Sequence, residues 1–211
     1  MINIKTFIFN PFQVNTYLLY DETKECIIID AGCYDNNEQE IILSFIEKNK
    51  LKPVKLLNTH CHIDHIFGNN YIGDKYKLFL EIHEADQFLI DAAIEHAKTF
   101  GLEINKQPAI GKYLNDNEII KFGNSELKII HIPGHSPGGI VFYNKQQEFI
   151  IAGDVLFCDS IGRTDLPGGN HEQLVSSIKN KLLILDDNVK VFSGHGETTT
   201  IGNERKNNPY L

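Results

Sequence analysis

Along this 211-residue chain the period of the apolar positions changes repeatedly, and each change predicts an element. Residues 2–9, 14–20 and 25–30 read as strands, the last (ECIIID) running into an Ala-Gly turn. The stretch NNEQEIILSFIEKNK, 36–50, places apolar side chains at 41, 42, 45 and 46, which is helical spacing, with Asn at the N-cap. A strand over 54–59 follows, then a short strand near 78–82 and a helix near 84–98. Strands over 118–122 and 126–131 come next, then a hairpin of 139–144 with 148–153. A loop rich in Gly and Asp leads to a helix over 171–183 and a strand over 189–193. Several strands are apolar on both faces, as in sheets covered on each side. Grouped strands with helices between them predict an α/β (α+β) chain in which two sheets are sandwiched between helix layers. The adjacent hairpins argue against one doubly wound sheet. No linker, repeat or low-complexity segment interrupts the pattern, so one domain over 1–211 is expected.

Composition narrows the function classes. The chain is 42% hydrophobic and 23% charged, an ordinary globular balance. A net charge of −8 argues against nucleic acid or an anionic membrane as the main partner. No run approaches the roughly 18–20 apolar residues of a membrane span. The start, MINIKTFIFNPFQ, lacks the long apolar core of a signal peptide, so a cytoplasmic location is expected. In a reducing compartment Cys26, Cys33, Cys61 and Cys158 are expected as free thiols.

The chemistry concentrates in LLNTHCHIDHIFGNN, 56–70, which sets His60, His62, Asp64 and His65 within six positions after an apolar run. In an extended segment His60 and His62 face one way and Cys61 the other. Asp64 and His65 reach a second point if a helix starts there, which suits two metals better than one. Unpaired, so many ionisable groups at one spot would repel and desolvate one another, and a bound cation removes that cost. Further ligands are expected where strands end at glycine: His135 in HIPGHSPGG, Asp154 in FIIAGDVLF and His195 in VFSGHGE. Asp154 can bridge two ions because a carboxylate has two oxygens. His83, His96, His131 and His171 read as ordinary histidines.

The residues quoted so far, with DAG at 30–32, GHSPGG at 134–139, GDVLF at 153–157, GRTDLPGG at 162–169 and the tail SGHGETTTIGNERKNNPYL, run in one order over nearly the whole chain. In these the chain resembles the metallo-β-lactamase-fold hydrolases, and within them the short glyoxalase II-like branch. The resemblance implies a four-layer αββα sandwich with a two-metal site at one edge. It implies one metal held by His60, His62 and His135, a second by Asp64, His65 and His195, and Asp154 between them. Asp30 would order the ligand loop by hydrogen bonding. Full-length glyoxalase II enzymes carry a helical substrate domain after the last histidine ligand. Only 16 residues follow His195 here, so no such domain and a more open site are expected.

Such ligands suit two divalent ions per chain, Zn²⁺ first, with Fe²⁺ and Mn²⁺ also accommodated. A water between them, deprotonated near neutral pH, would attack an acyl carbon. A thiolate, with a conjugate-acid pKa near 8.5, departs without a strong acid, so thioesters, and lactones after them, are the expected substrates. Arg163, one of only two arginines, sits in a Gly-bounded loop nine residues after Asp154. Its fork would hold a substrate carboxylate, as in the glyoxalase II family, or pair with Asp165. The expected partner is a small-molecule thioester, with the chain a monomer or homodimer. The competing reading is a persulfide dioxygenase of the same fold, which uses one iron.

Overall fold

Alternate residues of the central strands enter different cores, and that alternation builds the layers. The computed structural model describes every residue from Met1 to Leu211. The first half contains β1 (Asn3–Phe9), β2 (Val14–Tyr20), β3 (Glu25–Ile29), α1 (Asn36–Lys48), β4 (Lys52–Leu57), α2 (Ile63–Ile66), α3 (Asn69–Tyr76), β5 (Leu80–Ile82), α4 (Gln87–Thr99) and β6 (Ile110–Tyr113). The second half contains β7 (Ile119–Phe122), β8 (Ser125–His131), β9 (Ile140–Asn144), β10 (Phe149–Gly153), β11 (Leu156–Phe157), β12 (Ser160–Ile161), α5 (His171–Ser177), β13 (Lys190–Ser193), β14 (Thr199–Thr200) and α6 (Ile201–Asn207). One sheet runs β1-β2-β3-β4-β5-β6 and the other β14-β13-β10-β9-β8-β7, with β11 and β12 a separate small hairpin.

Leu18, Cys26, Ile28 and Leu56 face outward from the first sheet. There they pack on Ile42 and Ile46 of α1, Ile72 of α3, and Leu89 and Ala93 of α4. Their neighbours Tyr17, Leu19, Ile27, Ile29 and Leu57 turn inward, where they meet Ile129, Phe142, Phe149 and Ile151 of the second sheet. Ile150, Ala152, Val141 and Val191 leave the second sheet on its far face. They pack under Leu174, Ile178, Leu182 and Ile201 of the carboxy-terminal helical layer. Three buried cores thus separate four layers, in the order helices, sheet, sheet, helices. Burying both faces of a strand requires its near-continuous apolar run, which is why ECIII and FIIAG carry no alternating polar face.

The order of elements follows the sequence pattern, with differences at particular places. The α1 N-cap is Asp35, whose carboxylate accepts from Glu38 N at 2.9 Å, not an asparagine. Asp35 is one residue ahead of the Asn pair and is as good a cap acceptor. The helix near 84–98 begins as a 3₁₀ turn over Glu84–Asp86 and becomes α-helical at Gln87. The helix over 171–183 is α5 continued by a wider π turn, Ile178–Leu182. β6, α3 and α6 were not foreseen. NNYIGDKY and IGNERKN carry too few apolar side chains to show a helical stripe, and IGKY is short and interrupted by Gly111.

The strands β3 and β4 run parallel, as do β10 and β13, while β8 lies antiparallel to β9 and β9 to β10. The carboxy ends of β3, β4, β8, β10 and β13 carry the chain out at one edge of the sandwich. There an antiparallel bridge between Val14 and His195 ties the two sheets together.

Candidate metal centre

Five strands deliver the polar side chains found at this edge. Asp30 follows β3, the segment 58–62 follows β4, His135 follows β8, Asp154 follows β10, and His195 follows β13. The α2 turn begins immediately after His62 and aims Asp64 and His65 back at the same point. All seven sequence-singled histidines and aspartates meet there. Potential ligand atoms of His60, His62 and His135 lie within 4.8 Å of one another, as do those of His60, His65 and Asp154, and those of Asp64, His65 and His195.

In the first of these groups His62 Nδ1 is 2.9 Å from His135 Nε2, which is 3.2 Å from His60 Nε2. In the third, His195 Nε2 is 3.1 Å and His65 Nε2 3.6 Å from Asp64 Oδ2. Asp154 lies between. Its Oδ1 is 3.4 Å from His65 Nε2, and its Oδ2 is 3.5 Å from His195 Nε2 and 3.7 Å from His135 Nε2. The chain comes close enough only because residue 194 is glycine: a Cβ there would sit 2.0 Å from Asp154 Oδ1. Gly153 adopts φ +52°, and a Cβ there would meet Thr59 Oγ1 at 2.3 Å.

What turns the rings inward is a set of outer hydrogen bonds. His65 Nδ1 bonds Asp30 Oδ2 at 3.0 Å, His135 Nδ1 the Arg163 carbonyl at 2.7 Å, and His195 Nδ1 the Phe12 carbonyl at 3.0 Å. His60 Nδ1 meets Thr59 Oγ1 at 3.1 Å, and that hydroxyl donates to Asp30 Oδ2 at 2.7 Å. Assigning a proton to each outer nitrogen leaves an Nε2 lone pair facing the cluster in all four rings. His62 uses the opposite nitrogen. Its Nδ1 faces inward, and its Nε2 is buried without a partner.

Asp30 organises more than His65. It is fully buried, holds φ +54°, and its Oδ1 accepts from Thr59 N at 2.7 Å and Asn58 Nδ2 at 3.3 Å. Asp86 is an equally buried carboxylate that the sequence reading passed over. Its Oδ2 accepts from Cys61 N and Ser136 Oγ, both at 3.0 Å, and its Oδ1 accepts from Gly138 N at 2.6 Å. It therefore ties the loop of His60 and His62 to the loop of His135. Nothing in EADQ distinguishes Asp86 from an acid that opens a helix. Asn15 and Tyr17 act likewise on the last loop, with Asn15 Nδ2 and Tyr17 OH both donating to the Ser193 carbonyl.

The electrostatics divide the cluster. Burial, then the neighbouring histidines, pushes His60 well below the ordinary histidine value and His62 down to about 3. Burial also opposes the charged form of His65, but Asp64, Asp154 and Asp30 outweigh it and raise His65 well above the usual range. For Asp154 burial acts upward, and the facing His65, His135 and His195 overcome it, so the carboxylate is held low. Asp64 is held low in the same way, chiefly by His65 and His195. Two buried atoms at the centre, His65 Nε2 and Asp154 Oδ1, have no hydrogen-bond partner. Orphaned buried polar atoms are costly, and here they face one another across a set of imidazole and carboxylate donors that matches divalent cations. The residues present therefore fit divalent metal.

Arg163 contributes its backbone to the cluster, through the bond to His135, while its side chain turns away. The guanidinium forms a two-pronged ion pair with Asp165, Nε to Oδ1 and the terminal nitrogen to Oδ2 at 2.7 Å each, with both side chains about two-thirds exposed. Cys61 lies in the outer apolar core with its amide on Asp86, away from the cluster. Cys158 is half-buried beside Asp159 and Glu204. No helix is long and apolar enough to cross a membrane.

The family model of the metallo-β-lactamase superfamily matches residues 9–195, and with it every side chain of the cluster. The chain belongs to the metallo-β-lactamase superfamily. Within it the chain is 39% identical over its whole length to hydroxyacylglutathione hydrolase GloC of Haemophilus influenzae, covering 98% of that protein. Among solved structures, the BLEG-1 B3 metallo-β-lactamase superposes with a TM-score of 0.90 at 35% identity, covering 100% of this chain and 99% of that one. TTHA1623, solved in a di-iron-bound form, superposes with a TM-score of 0.88 at 34% identity, covering 98% of this chain and 100% of that one. The fold is the metallo-β-lactamase fold, and the superfamily makes this chain a metallo-hydrolase.

Proposed function

We propose that this metallo-hydrolase cleaves thioesters, with two divalent cations held side by side. His60, His62 and His135 would hold one cation, Asp64, His65 and His195 the other, and Asp154 would face both. The observation that carries this reading is the pairing of two convergent donor groups across one carboxylate, with four of the five rings locked by outer hydrogen bonds. Bound there, the cations supply Lewis acidity for the acyl carbonyl and a water acidified to near-neutral pKa.

The chain's own groups do the rest. Asp30 and Thr59 fix the tautomers of His65 and His60, so that those rings meet a cation as neutral donors. Asp154 and Asp64, held ionised by their surroundings, bring two negative charges to the centre and favour divalent ions over monovalent ones. In the overall reaction water adds its oxygen to the acyl carbon and the carbon–sulfur bond breaks. The products are a carboxylate, a thiol and one proton released to solvent. A thiolate is a good enough leaving group to depart without a dedicated acid, which supports thioesters over amides. The likeness to GloC supports the same substrate class. Zn²⁺ suits the donor set best, and Fe²⁺ or Mn²⁺ fit the same atoms, a range that the di-iron form of TTHA1623 supports.

The test is elemental analysis of the purified protein beside a thioester panel that includes S-lactoylglutathione. Two metals per chain with thioester turnover, lost on chelation and restored by the metal, is the expected result. Oxygen consumption driven by a persulfide, with one iron per chain and intact thioesters, would replace this reading by the dioxygenase.

A further inference from the structure

An aromatic shelf begins where the cluster ends. The turn between β1 and β2 brings the Phe12 carbonyl onto His195 Nδ1 at 3.0 Å, and the Phe12 ring stands beside it, 38% exposed. It stacks on Phe67, with centroids 6.4 Å apart, and meets the edge of Phe100 at 6.0 Å. Tyr34 packs against Phe67 at 4.8 Å, and His96 lies beside Phe100 at 5.5 Å. Three of these rings stand on segments that carry the cluster or support it. Phe67 follows directly on α2, which bears Asp64 and His65. Tyr34 is four residues past Asp30. In the turn that carries Phe12, Asn10 Nδ2 holds the Asp64 carbonyl at 2.9 Å. Phe100, at the end of α4, leaves half its surface exposed.

Phe67 is itself buried, so the exposed surface is that of Phe12 and Phe100, and aromatic rings left exposed at the rim of a polar site mark a place for an apolar ligand group. Two flanks of the cluster differ in this respect. The His135 flank meets the Arg163 loop, which presents a guanidinium and a carboxylate to solvent. The His195 flank meets stacked rings. Resting on the thioesterase reading, we propose that the exposed rings of Phe12 and Phe100, backed by the buried ring of Phe67, bind an apolar, preferably aryl, acyl group of the thioester, while the thiol carrier extends along the Arg163 flank. The substrate class is then an arylalkanoyl or medium-chain acyl thioester rather than a short hydroxyacyl one.

The experiment uses metal-loaded protein and a thiol too small to reach the rim, N-acetylcysteamine, esterified with phenylacetate, acetate or lactate. The phenylacetyl ester is expected to exceed both others in kcat/KM by about tenfold, the scale of one ring buried in an apolar site. Phe12→Ala and Phe100→Ala should bring that ratio towards one, whereas Phe79→Ala, an exposed ring elsewhere, should keep it. Calorimetry with the free carboxylates reads the shelf without turnover: phenylacetate should bind more tightly than acetate, and Phe12→Ala should erase the difference. Thioester cleavage without acyl preference, and equal binding of the two carboxylates, would overturn the shelf and leave the thioesterase standing. Phe12-dependent phenylacetate binding with no thioester cleaved would leave the shelf standing and remove the thioesterase. Sedimentation showing that Phe12→Ala and Phe100→Ala turn a dimer into monomers would make the rings a subunit interface and overturn the proposal.

Discussion

Two groups of side chains meet at Asp154, and they carry different charge. His60, His62 and His135 form a buried all-imidazole group in which burial and mutual repulsion keep His60 and His62 neutral. Asp64, His65 and His195 form a mixed group in which Asp64, helped by the neighbouring Asp154, raises the values of His65 and His195 against the burial that disfavours their charged forms. The first group is arranged for a cation by geometry, because its ring nitrogens converge and two of them, on His60 and His62, resist protonation. The second is arranged by charge, and there a cation competes with protons more strongly. Asp154 belongs to both, so it is the residue through which the comparison is most easily broken.

Asp154→Ala should have the largest effect. It removes the carboxylate that faces three histidines at 3.4–3.7 Å. Thioester turnover should fall by about a thousandfold or more, and metal content should drop from two per chain to one or fewer, read by elemental analysis. Retained activity with two bound metals would remove Asp154 from the site and separate the two groups entirely.

A smaller and more selective effect should come from the two buried carboxylates behind the groups. Asp86 clamps the loops of the all-imidazole group through Cys61 N, Ser136 Oγ and Gly138 N. Asp30 holds His65 directly. Replacing such a supporting group weakens metal binding by about ten- to a hundredfold. Asp86→Asn should therefore weaken the equivalent bound by the all-imidazole group, and Asp30→Asn chiefly the other. Titration with metal, following each equivalent separately, checks this. If both variants weaken both equivalents alike, the two groups are one unit and the contrast drawn above is wrong.

The difference between Asp86 and His62 also shows what a sequence can disclose. H-x-H-x-D-H crowds its chemistry into neighbouring positions, so the cluster could be suspected before any fold was considered. His135, Asp154 and His195 were visible for a weaker reason, as polar residues where apolar strands stop at glycine. Asp86 has neither signal. Its meaning depends on partners 25 and 50 positions away, brought together only when α4 packs beneath both loops. The support from Phe12 and Arg163 is invisible for a different reason, since a backbone carbonyl acts whatever the side chain is. At the level of fold, long runs such as ECIII were legible because they are buried on both faces. α6 was not, because a single buried apolar side chain, Ile201, leaves no stripe.

Proton release sharpens the same contrast. The folded values of His65 and His195 are raised, so a cation entering there competes with protons up to a higher pH than it would at ordinary histidines. His60 and His62 are depressed and have none to give. As pH falls below the raised values, metal affinity at the mixed group should fall by about tenfold per unit and per proton displaced. The part of the affinity that His60 and His62 contribute should change less over the same range, because His62 does not protonate until about pH 3 and His60 is likewise depressed. Calorimetry in buffers of different ionisation enthalpy should show more proton release in the binding step at the mixed group than in the other. Equal release in both steps would show that the carboxylates do not set the charge of His65.

The smallest effect should come from Arg163→Ala, and its value lies in separating a backbone role from a side-chain role at one position. The carbonyl that accepts from His135 survives the substitution, so metal content should be unchanged. The side chain is spent on Asp165, whose carboxyl it holds down at about 2. Both groups are exposed, and exposed ion pairs contribute little to folding. If the guanidinium swings from Asp165 to an anionic thiol carrier, the variant should raise KM for glutathione thioesters about three- to tenfold while leaving kcat and the KM for uncharged thioesters in place. An unchanged KM for the anionic substrates would confine Arg163 to its pair with Asp165. The His135 flank would then hold its histidine through the peptide backbone alone, and the recognition of the thiol would have to come from other residues of the rim.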